Sequence, residues 1–383
     1  MTEQPSDGTI AVTRLTLTDF RNYQKCVVDL PAAPVVLTGP NGAGKTNLLE
    51  AVSLLSPGRG LRRVRLSDMT RHGAPVWAVS AETCHDHDMT TIGTGLVAEP
   101  GQTRERRVVR IDGANAGPGR LAGLLPMTWL TPQMDPLFSE GVSARRRFLD
   151  RLVLAVDPEH GTRFNAYERA MRERLRLLRD GQMDDAWLTA LEAQMAEHGV
   201  AVAAARLDWR NRLATAIANG VGPFPAADIV LDGVLEQDLA GRPAVQVEEA
   251  FAADLRRYRN GDGEARRTRF GPHRTDLVVR HIQKDLPAAH CSTGEQKALL
   301  ISIILGGARL QKSEQGLAPI LLLDEVAAHL DATRRAALFD EICALRGQAF
   351  LTGTDHNLFE AFGDRAQYIA VEDAKLNIRA WDR

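Results

Sequence analysis

The chain has 383 residues, two to three times the usual domain length, with 47 Lys plus Arg against 49 Asp plus Glu and a formal net charge of -2. It is long enough for more than one buried core, and bulk charge does not draw it to a polyanion. Hydrophobic residues make up 44% and no apolar run approaches the roughly 18–20 residues that cross a bilayer, which excludes a spanning helix. The polar start, MTEQPSDG, has neither a basic region nor an apolar stretch, so a cytoplasmic location is expected. Cys26, Cys84, Cys291 and Cys343 lie far apart with no CxxC pair and read as reduced thiols.

In chain order, Val12 to Phe20 and Val27 to Leu30 predict two strands, and the apolar run Pro34 to Thr38 predicts a buried one that stops at Gly39. Residues 39–46, GPNGAGKT, satisfy G-x-x-x-x-G-K-[ST], and a helix is expected from Asn47 to Leu55. Residues 75–112 hold short β-like segments punctuated by Gly, Asn and Pro, as in an antiparallel layer. From Ser143 the period changes. Phe164, Tyr167, Met171, Leu175 and Leu178 recur at helical spacing, Asp180-Gly181 breaks the pattern, and Leu188, Leu191, Met195, His198, Val202, Ala205 and Trp209 resume it. The spacing predicts a short antiparallel coiled-coil hairpin with His198 as a polar seam residue rather than a metal ligand. After Asn219-Gly220 come a strand-like IVLDGVL, a helix from Val247 to Tyr258 and a basic, Gly-rich connector. From Ser292 the order helix, buried strand (Pro319 to Leu323), helix, strand (Ala349 to Thr354) predicts a parallel sheet.

Three segments carry chemistry. Along Gly39, Pro40, Asn41, Gly42, Ala43 and Gly44 the glycines let the backbone curl, so that N–H groups and the start of the helix at Asn47 face phosphates. Lys45 would bridge the β- and γ-phosphates and the Thr46 hydroxyl would ligate Mg²⁺. In ILLLDE, an apolar strand ends on two carboxylates: Asp324 suits the Mg²⁺ shell and Glu325 suits polarising the attacking water, against the plainer reading of an acidic helix cap. In CSTGEQK, Ser292 to Glu295 is a capping box, and the same hydroxyl and the Gly294 N–H would also suit a γ-phosphate clasp. The residues alone leave both readings open.

Ser-Thr-Gly-Glu-Gln resembles the LSGGQ signature of ABC-type ATPases, and LLLDEVAAHLD resembles their Walker B and D-loop. LTDFRNY (17–23), GPNGAGKTNLLEA, LTPQMDPLFSEGVSARRRFLD (130–150), TRFGPHRTDL (268–277) and CSTGEQKALLISI (291–303) resemble, in order and over nearly the whole chain, the RecF family of bacterial DNA replication and repair proteins. The resemblance implies an α/β fold, an ABC/Rad50-like P-loop ATPase head with an inserted helical (short coiled-coil) arm. The head would comprise residues 1–135 and 269–383 and the arm 136–268. ATP and Mg²⁺ are the implied cofactors. The implied assembly is an ATP-dependent homodimer in which Ser292 contacts the γ-phosphate held by the partner subunit's Lys45, with Gly294, Glu295 and Gln296 also among the nucleotide-binding residues. Arg21 and Asn22 would lie near the nucleotide, Asp331 at the dimer seam, and Gln133 on the Mg²⁺. Two departures from pattern stand out: Thr352-Gly353-Thr354-Asp355 replaces a switch histidine, leaving Thr354 as candidate γ-phosphate sensor, and Gln133 stands where an acidic residue is commoner.

The implied activity is a weak, DNA-stimulated ATPase that binds single-stranded and gapped DNA without sequence preference, dimerises on ATP and hydrolyses it slowly for release. It would help load recombinase in the RecFOR pathway with RecR and RecO, supporting SOS induction and replication restart. The alternative is an ABC-type ATPase subunit coupled to a protein partner without touching DNA. A transporter-coupling ATPase fits poorly, because roughly 245 residues separate Lys45 from Ser292, and a Rad50-like partner would need a CxxC hook. A near-neutral protein must concentrate its positive charge to hold phosphates. The candidates are Arg59, Arg62, Arg63 and Arg65, then Arg104, Arg106, Arg107 and Arg110, then Arg145, Arg146, Arg147 and Arg151, and the run from Arg256 to Arg274; Arg145 to Arg147 have a rival reading as anchors of arm to head. CHDHD (84–88) reads as a polar hairpin loop rather than a metal site.

Overall fold

The computed structural model describes residues 9–86, 88–97, 105–181, 184–218 and 220–380. It divides into two compact units, Met1–Asp135 with Gly220–Phe224 and Leu300–Arg383, and Pro136–Asn219 with Pro225–Leu299. We call them head and arm. The head opens with β1 (Ile10–Phe20), β2 (Tyr23–Asp29), β3 (Val35–Thr38), α1 (Lys45–Ser53), β4 (Ala78–His85), β5 (Asp88–Val97), β6 (Arg106–Ile111), β7 (Ala114–Ala116) and β8 (Met127–Leu130). The arm holds α2 (Val142–Val156), α3 (His160–Arg179), α4 (Asp185–Ile217), β9 (Ala227–Asp232), α5 (Val234–Leu239), α6 (Ala244–Arg257), α7 (Arg259–Ala265), β10 (Asp276–His281) and β11 (Leu286–Pro287). The chain passes back to the head within α8 (Thr293–Gln315) and ends with β12 (Ile320–Leu323), α9 (Ala332–Leu345), β13 (Ala349–Gly353), β14 (Gln367–Glu372) and β15 (Lys375–Arg379).

In the head, one six-stranded sheet has the order β15-β14-β3-β13-β12-β8, parallel except for the β15 edge. Strands β3, β8, β12 and β13 are buried at every position, which is why they read as continuous apolar runs. The second sheet, β2-β1-β4-β5-β6-β7, is antiparallel, and its strands alternate buried and exposed residues. Helix α1 contributes Leu48, Leu49 and Val52 to a core shared with Leu17, Phe20, Val35, Leu37, Ile320 and Leu322. Buried Gln348 exchanges two 2.9 Å hydrogen bonds with the backbone of Val12 and gives a third to the Pro31 carbonyl, so a side-chain amide stands in for a missing strand neighbour. The parallel order brings the C-terminal ends of β3, β12, β13 and β8 side by side, where ligands of open α/β sheets bind.

In the arm, α3 and α4 pack along each other, and Tyr167, Leu177, Leu188, Leu191 and Met195 share a core with Val247, Phe251 and Leu255 of α6. The predicted stripe is largely inward: Val202 and Trp209 are buried, His198 and Ala205 half-buried. The hairpin is thus one side of a small bundle. Two expectations change. The strand-like IVLDGVL stops at Asp232 and turns into α5 at Gly233, where a Cβ would come within 2.1 Å of the Glu236 carboxylate. The basic connector contains α7, whose first residue, Arg259, is buried among Glu192, Asp185 and Thr189. The arm also runs on past residue 268, since β10 pairs with β9 and Arg145 of α2 holds Asp276 through two bonds of 2.7 and 2.8 Å. No helix of the described residues is long and apolar enough to cross a membrane.

Candidate nucleotide-binding site

The loop between β3 and α1 is shaped by close backbone approach. Gly39 has φ 145°, and a Cβ there would lie 2.2 Å from the Val371 carbonyl; at Gly44 (φ 118°) a Cβ would meet Asn22 and Tyr23 at 2.7 Å. Only glycine fits either position. Helix α1 starts at Gly44 with no capping side chain and no acidic residue in its first turn, so its leading N–H groups and positive dipole end face the loop. That arrangement suits an anion. Buried Lys45 spans the loop, its Nζ donating to the carbonyls of Gly39 at 2.7 Å and Pro40 at 2.9 Å. Burial lowers the pKa of its ammonium, while the carboxylates of Glu325 and Asp324 pull the other way.

Three chain segments converge on Asp324, which is buried at the end of β12. Its Oδ1 accepts from the Thr46 hydroxyl at 2.9 Å and from the Thr352 hydroxyl at 2.7 Å. Thr352 Oγ1 in turn accepts the Glu325 N–H at 2.9 Å. Glu325 itself sits in the left-handed region at φ 53°, ψ 23°, a conformation costly for a residue with a Cβ and held here by its neighbours. Thr46 and Asp324, from opposite ends of the chain, form a pair of hard oxygen donors of the kind Mg²⁺ takes. Thr352 rather than Thr354 makes these bonds; Thr354 is exposed at the end of β13. Gln133 is exposed in the turn after β8, beside β12 in the sheet.

Asn22 meets the loop directly. Asn22 Nδ2 donates to the Ala43 carbonyl at 3.1 Å, its Oδ1 accepts from Asn47 at 2.8 Å, and the Tyr23 hydroxyl donates to the Gly44 carbonyl at 3.2 Å. Arg21 instead grips Glu50 of α1 through two 2.8 Å bonds. Glu50 is fully buried, and it also receives Arg62 at 3.1 Å, while Arg62 bonds Asn47 at 2.8 Å. Glu50 escaped the sequence reading, although a lone carboxylate in the apolar NLLEAVSLL was the signal for it.

At the start of α8 the Ser292 N–H donates to the Glu295 carboxylate at 2.9 Å, one half of the predicted capping box, and Gln296 Nε2 donates to the Cys291 carbonyl at 2.9 Å. Lys284 pairs with Glu295 and holds its carboxyl well below the usual range. Ser292 and Gly294 are exposed. They belong to the arm while the phosphate loop belongs to the head. Exposed Asp331 caps α9, accepting the Arg334 N–H at 2.8 Å.

The arginine candidates divide. Arg59, Arg63, Arg65, Arg106 and Arg147 are exposed, and Arg104 lies outside the described residues. Arg62 belongs to the Glu50 cluster. Arg107 tethers β6 to the end of α1, reaching the carbonyls of Leu54, Ser56 and Gly58, and burial lowers its guanidinium pKa to about 10. Arg145 and Arg146 bond Asp276 and the Thr275 carbonyl, which belong to the same compact unit. CHDHD forms the β4–β5 hairpin, with His85 opposite Asp88, and His87 lies outside the described residues.

A phosphate loop whose threonine meets the acidic end of a parallel strand two places along the sheet defines a P-loop ATPase head of the ABC type, here with a helical arm inserted between its halves. A sequence model described as the RecF/RecN/SMC N-terminal domain matches residues 11–377. The DNA replication and repair protein RecF of Mesorhizobium japonicum is 52% identical over 365 residues, covering 94% of this chain and 96% of that one. RecF of Rhizobium rhizogenes is also 52% identical, over 94% and 97%. The solved structure of the recombination mediator protein RecF with ATP in the RecFOR pathway superposes with a TM-score of 0.84 at 22% identity, covering 98% and 99%. The Smc head domain of Pyrococcus furiosus gives 0.54 at 16% identity, covering 97% and 96%. The chain belongs to the RecF family of DNA replication and repair proteins.

Proposed function

We propose that this protein is an ATP-dependent DNA-binding ATPase of recombinational repair and replication restart. The observation that carries this reading is the convergence of the Thr46 and Thr352 hydroxyls on Asp324 at the mouth of the phosphate loop, with Thr352 in turn accepting the Glu325 N–H. Lys45, held against two loop carbonyls, is placed to turn toward β- and γ-phosphates, and the leading N–H groups of α1 cradle them. Thr46 and Asp324 would hold Mg²⁺, with Gln133 a further contact; the bound metal offsets negative charge on the phosphates. Thr352 fixes the Glu325 backbone, so that its carboxylate orients and polarises the attacking water. Thr354 is the candidate γ-phosphate sensor. Ser292, Gly294, Glu295 and Gln296 would close on the nucleotide of a second subunit, with Asp331 at the seam, so ATP drives homodimerisation and slow hydrolysis releases it. The dimer would act in the cytoplasm on single-stranded and gapped DNA, using the exposed arginines Arg59, Arg63, Arg65, Arg106 and Arg147 on backbone phosphates. RecR and RecO are its proposed partners in loading recombinase and supporting SOS induction.

The test is anisotropy of labelled gapped DNA titrated with Glu325→Gln protein, with and without ATP and Mg²⁺, across a salt series. Tightening on ATP with a steep salt slope is expected. DNA binding that ignores ATP, or no binding at all, overturns the switch.

A further inference from the structure

The arm carries a group of cations that the nucleotide chemistry does not use. Arg172, Arg176 and Arg179 recur at four- and three-residue steps and so share one stripe of α3. With Leu175 and Arg266 they line a cleft of about 200 Å³, and among the described residues no carboxylate or aromatic ring lines it. The three side chains are 69%, 55% and 56% exposed. Each has one acidic neighbour, Glu168 at 3.6 Å, Glu173 at 2.6 Å and Asp180 at 3.2 Å, and exposed pairs of this kind exchange readily for a better anion. Arg176 and Arg179 also complement the negative end of the α3 dipole, which explains their place in the last turn. It does not explain Arg266. That residue closes α7 at φ 51°, ψ 34°, a left-handed position where glycine is the low-cost choice, and brings a fourth guanidinium to the cleft from another element.

We propose that this cleft is a second phosphate-binding surface, taking the backbone of a nucleic acid. The proposal rests on the DNA-binding reading above and adds to it a contact on the arm. All four cations are arginine, whose planar fork matches phosphate oxygens two at a time. Without an aromatic ring there is nothing to stack on bases, so recognition is of the backbone and indifferent to sequence. A protein partner fits less well, because peptide interfaces are anchored by buried apolar or aromatic side chains, and the cleft offers only the Leu175 stem.

Full-length protein carrying Arg172→Ala, Arg176→Ala and Arg266→Ala is compared with the wild type, using a fluorescent oligonucleotide in single-stranded and duplex form. ATP affinity and circular dichroism serve as folding controls, since all three side chains are exposed. Loss of three phosphate contacts lowers the slope of log K against log salt by about 2 to 3 and weakens binding at least about tenfold at low salt, while the three Arg→Lys replacements keep most of the slope. Wild-type binding with an unchanged slope in the alanine variant overturns the cleft and leaves the DNA reading standing. Failure of the wild type to bind DNA overturns both. If poly-glutamate loses affinity for the alanine variant while DNA does not, the cleft takes an acidic peptide and the proposal is wrong.

Discussion

Head and arm bury charge for different ends. In the head, the interior is apolar and its buried ionic side chains crowd one place: Lys45, Glu50 and Asp324 all belong to the phosphate loop, the helix it opens or the strand end beside it. In the arm the charges lie between helices. Arg174 is fully buried and bonds Glu192 at 2.9 Å, Asp262 at 2.8 Å and the Leu255 carbonyl at 2.6 Å, thereby tying α3, α4, α6 and α7 together. Arg206 does the same for α2, with two bonds to Asp150 at 2.8 and 3.0 Å and one to the Pro272 carbonyl at 2.7 Å. Buried pairs add little net stability over an apolar replacement, but they penalise any packing that leaves a charge alone. The head's buried charges gather around the phosphate loop, whereas the arm's tie its helices together.

Breaking that contrast from the arm side gives the largest effect. Arg174→Met leaves Glu192 with Arg259 alone and Asp262 without its cation, and should cost about 3–5 kcal/mol, read as a shift in the urea midpoint of the arm transition. Nucleotide binding in the surviving folded fraction should be unchanged, and a loss of it in that fraction would contradict the division of labour. From the head side, Glu50→Gln should cost less, about 2–3 kcal/mol, because Arg21 and Arg62 keep partial access to water. Its nucleotide affinity should fall as Arg21 and Asn47 lose their positions, as isothermal titration with ATP would record. An unchanged affinity would make Glu50 structural, like the arm charges.

The smallest effect is a titration. His273 Nε2 donates to the Thr268 carbonyl at 3.0 Å, so its Nδ1 is the acceptor for the Tyr167 hydroxyl at 2.6 Å. Burial, helped by the nearby cations Arg146, Arg274 and Arg206, lowers this imidazole to about 4. The folded arm refuses a proton that the unfolded chain accepts below about pH 6.5. Stability present at neutral pH is thus lost as pH falls from about 6.5 toward 4, by about 2 kcal/mol at pH 5. His273→Gln should flatten that dependence in urea melts at pH 7 and 5, and a melt as steep as that of the parent would place the titrating group elsewhere.

The phosphate-loop and strand-end motifs were legible because their signals are local. A glycine loop between a buried strand and a helix, or two carboxylates closing an apolar strand, are fixed by bonds along a few residues, and GPNGAGKT and ILLLDE state them directly. Periodicity likewise announced the α3–α4 hairpin, since a stripe at 3.6-residue spacing has one face to bury. What failed to read was charge whose partner is distant. Arg259 read as part of a basic connector and of a candidate DNA-binding run, and Arg145 and Arg107 as candidate DNA contacts, because nothing in sequence separates an arginine facing water from one facing Glu192, Asp276 or the end of α1.

The amino-acid sequence by itself thus determined the glycine turn of the phosphate loop, the apolar strands and the helical stripes, which follow from short-range geometry and solvent exclusion, while the ATPase class came from resemblance to a known family. Tertiary structure alone decided that Thr352, not Thr354, completes the Asp324 cluster, that Glu50 gathers Arg21 and Arg62, and that Arg266 joins the α3 stripe. Such pairings depend on which segments the sheet order and helix packing bring within a few ångströms. Coulomb and hydrogen-bond terms act only over those distances, so the residues that set them need not be near one another in the chain.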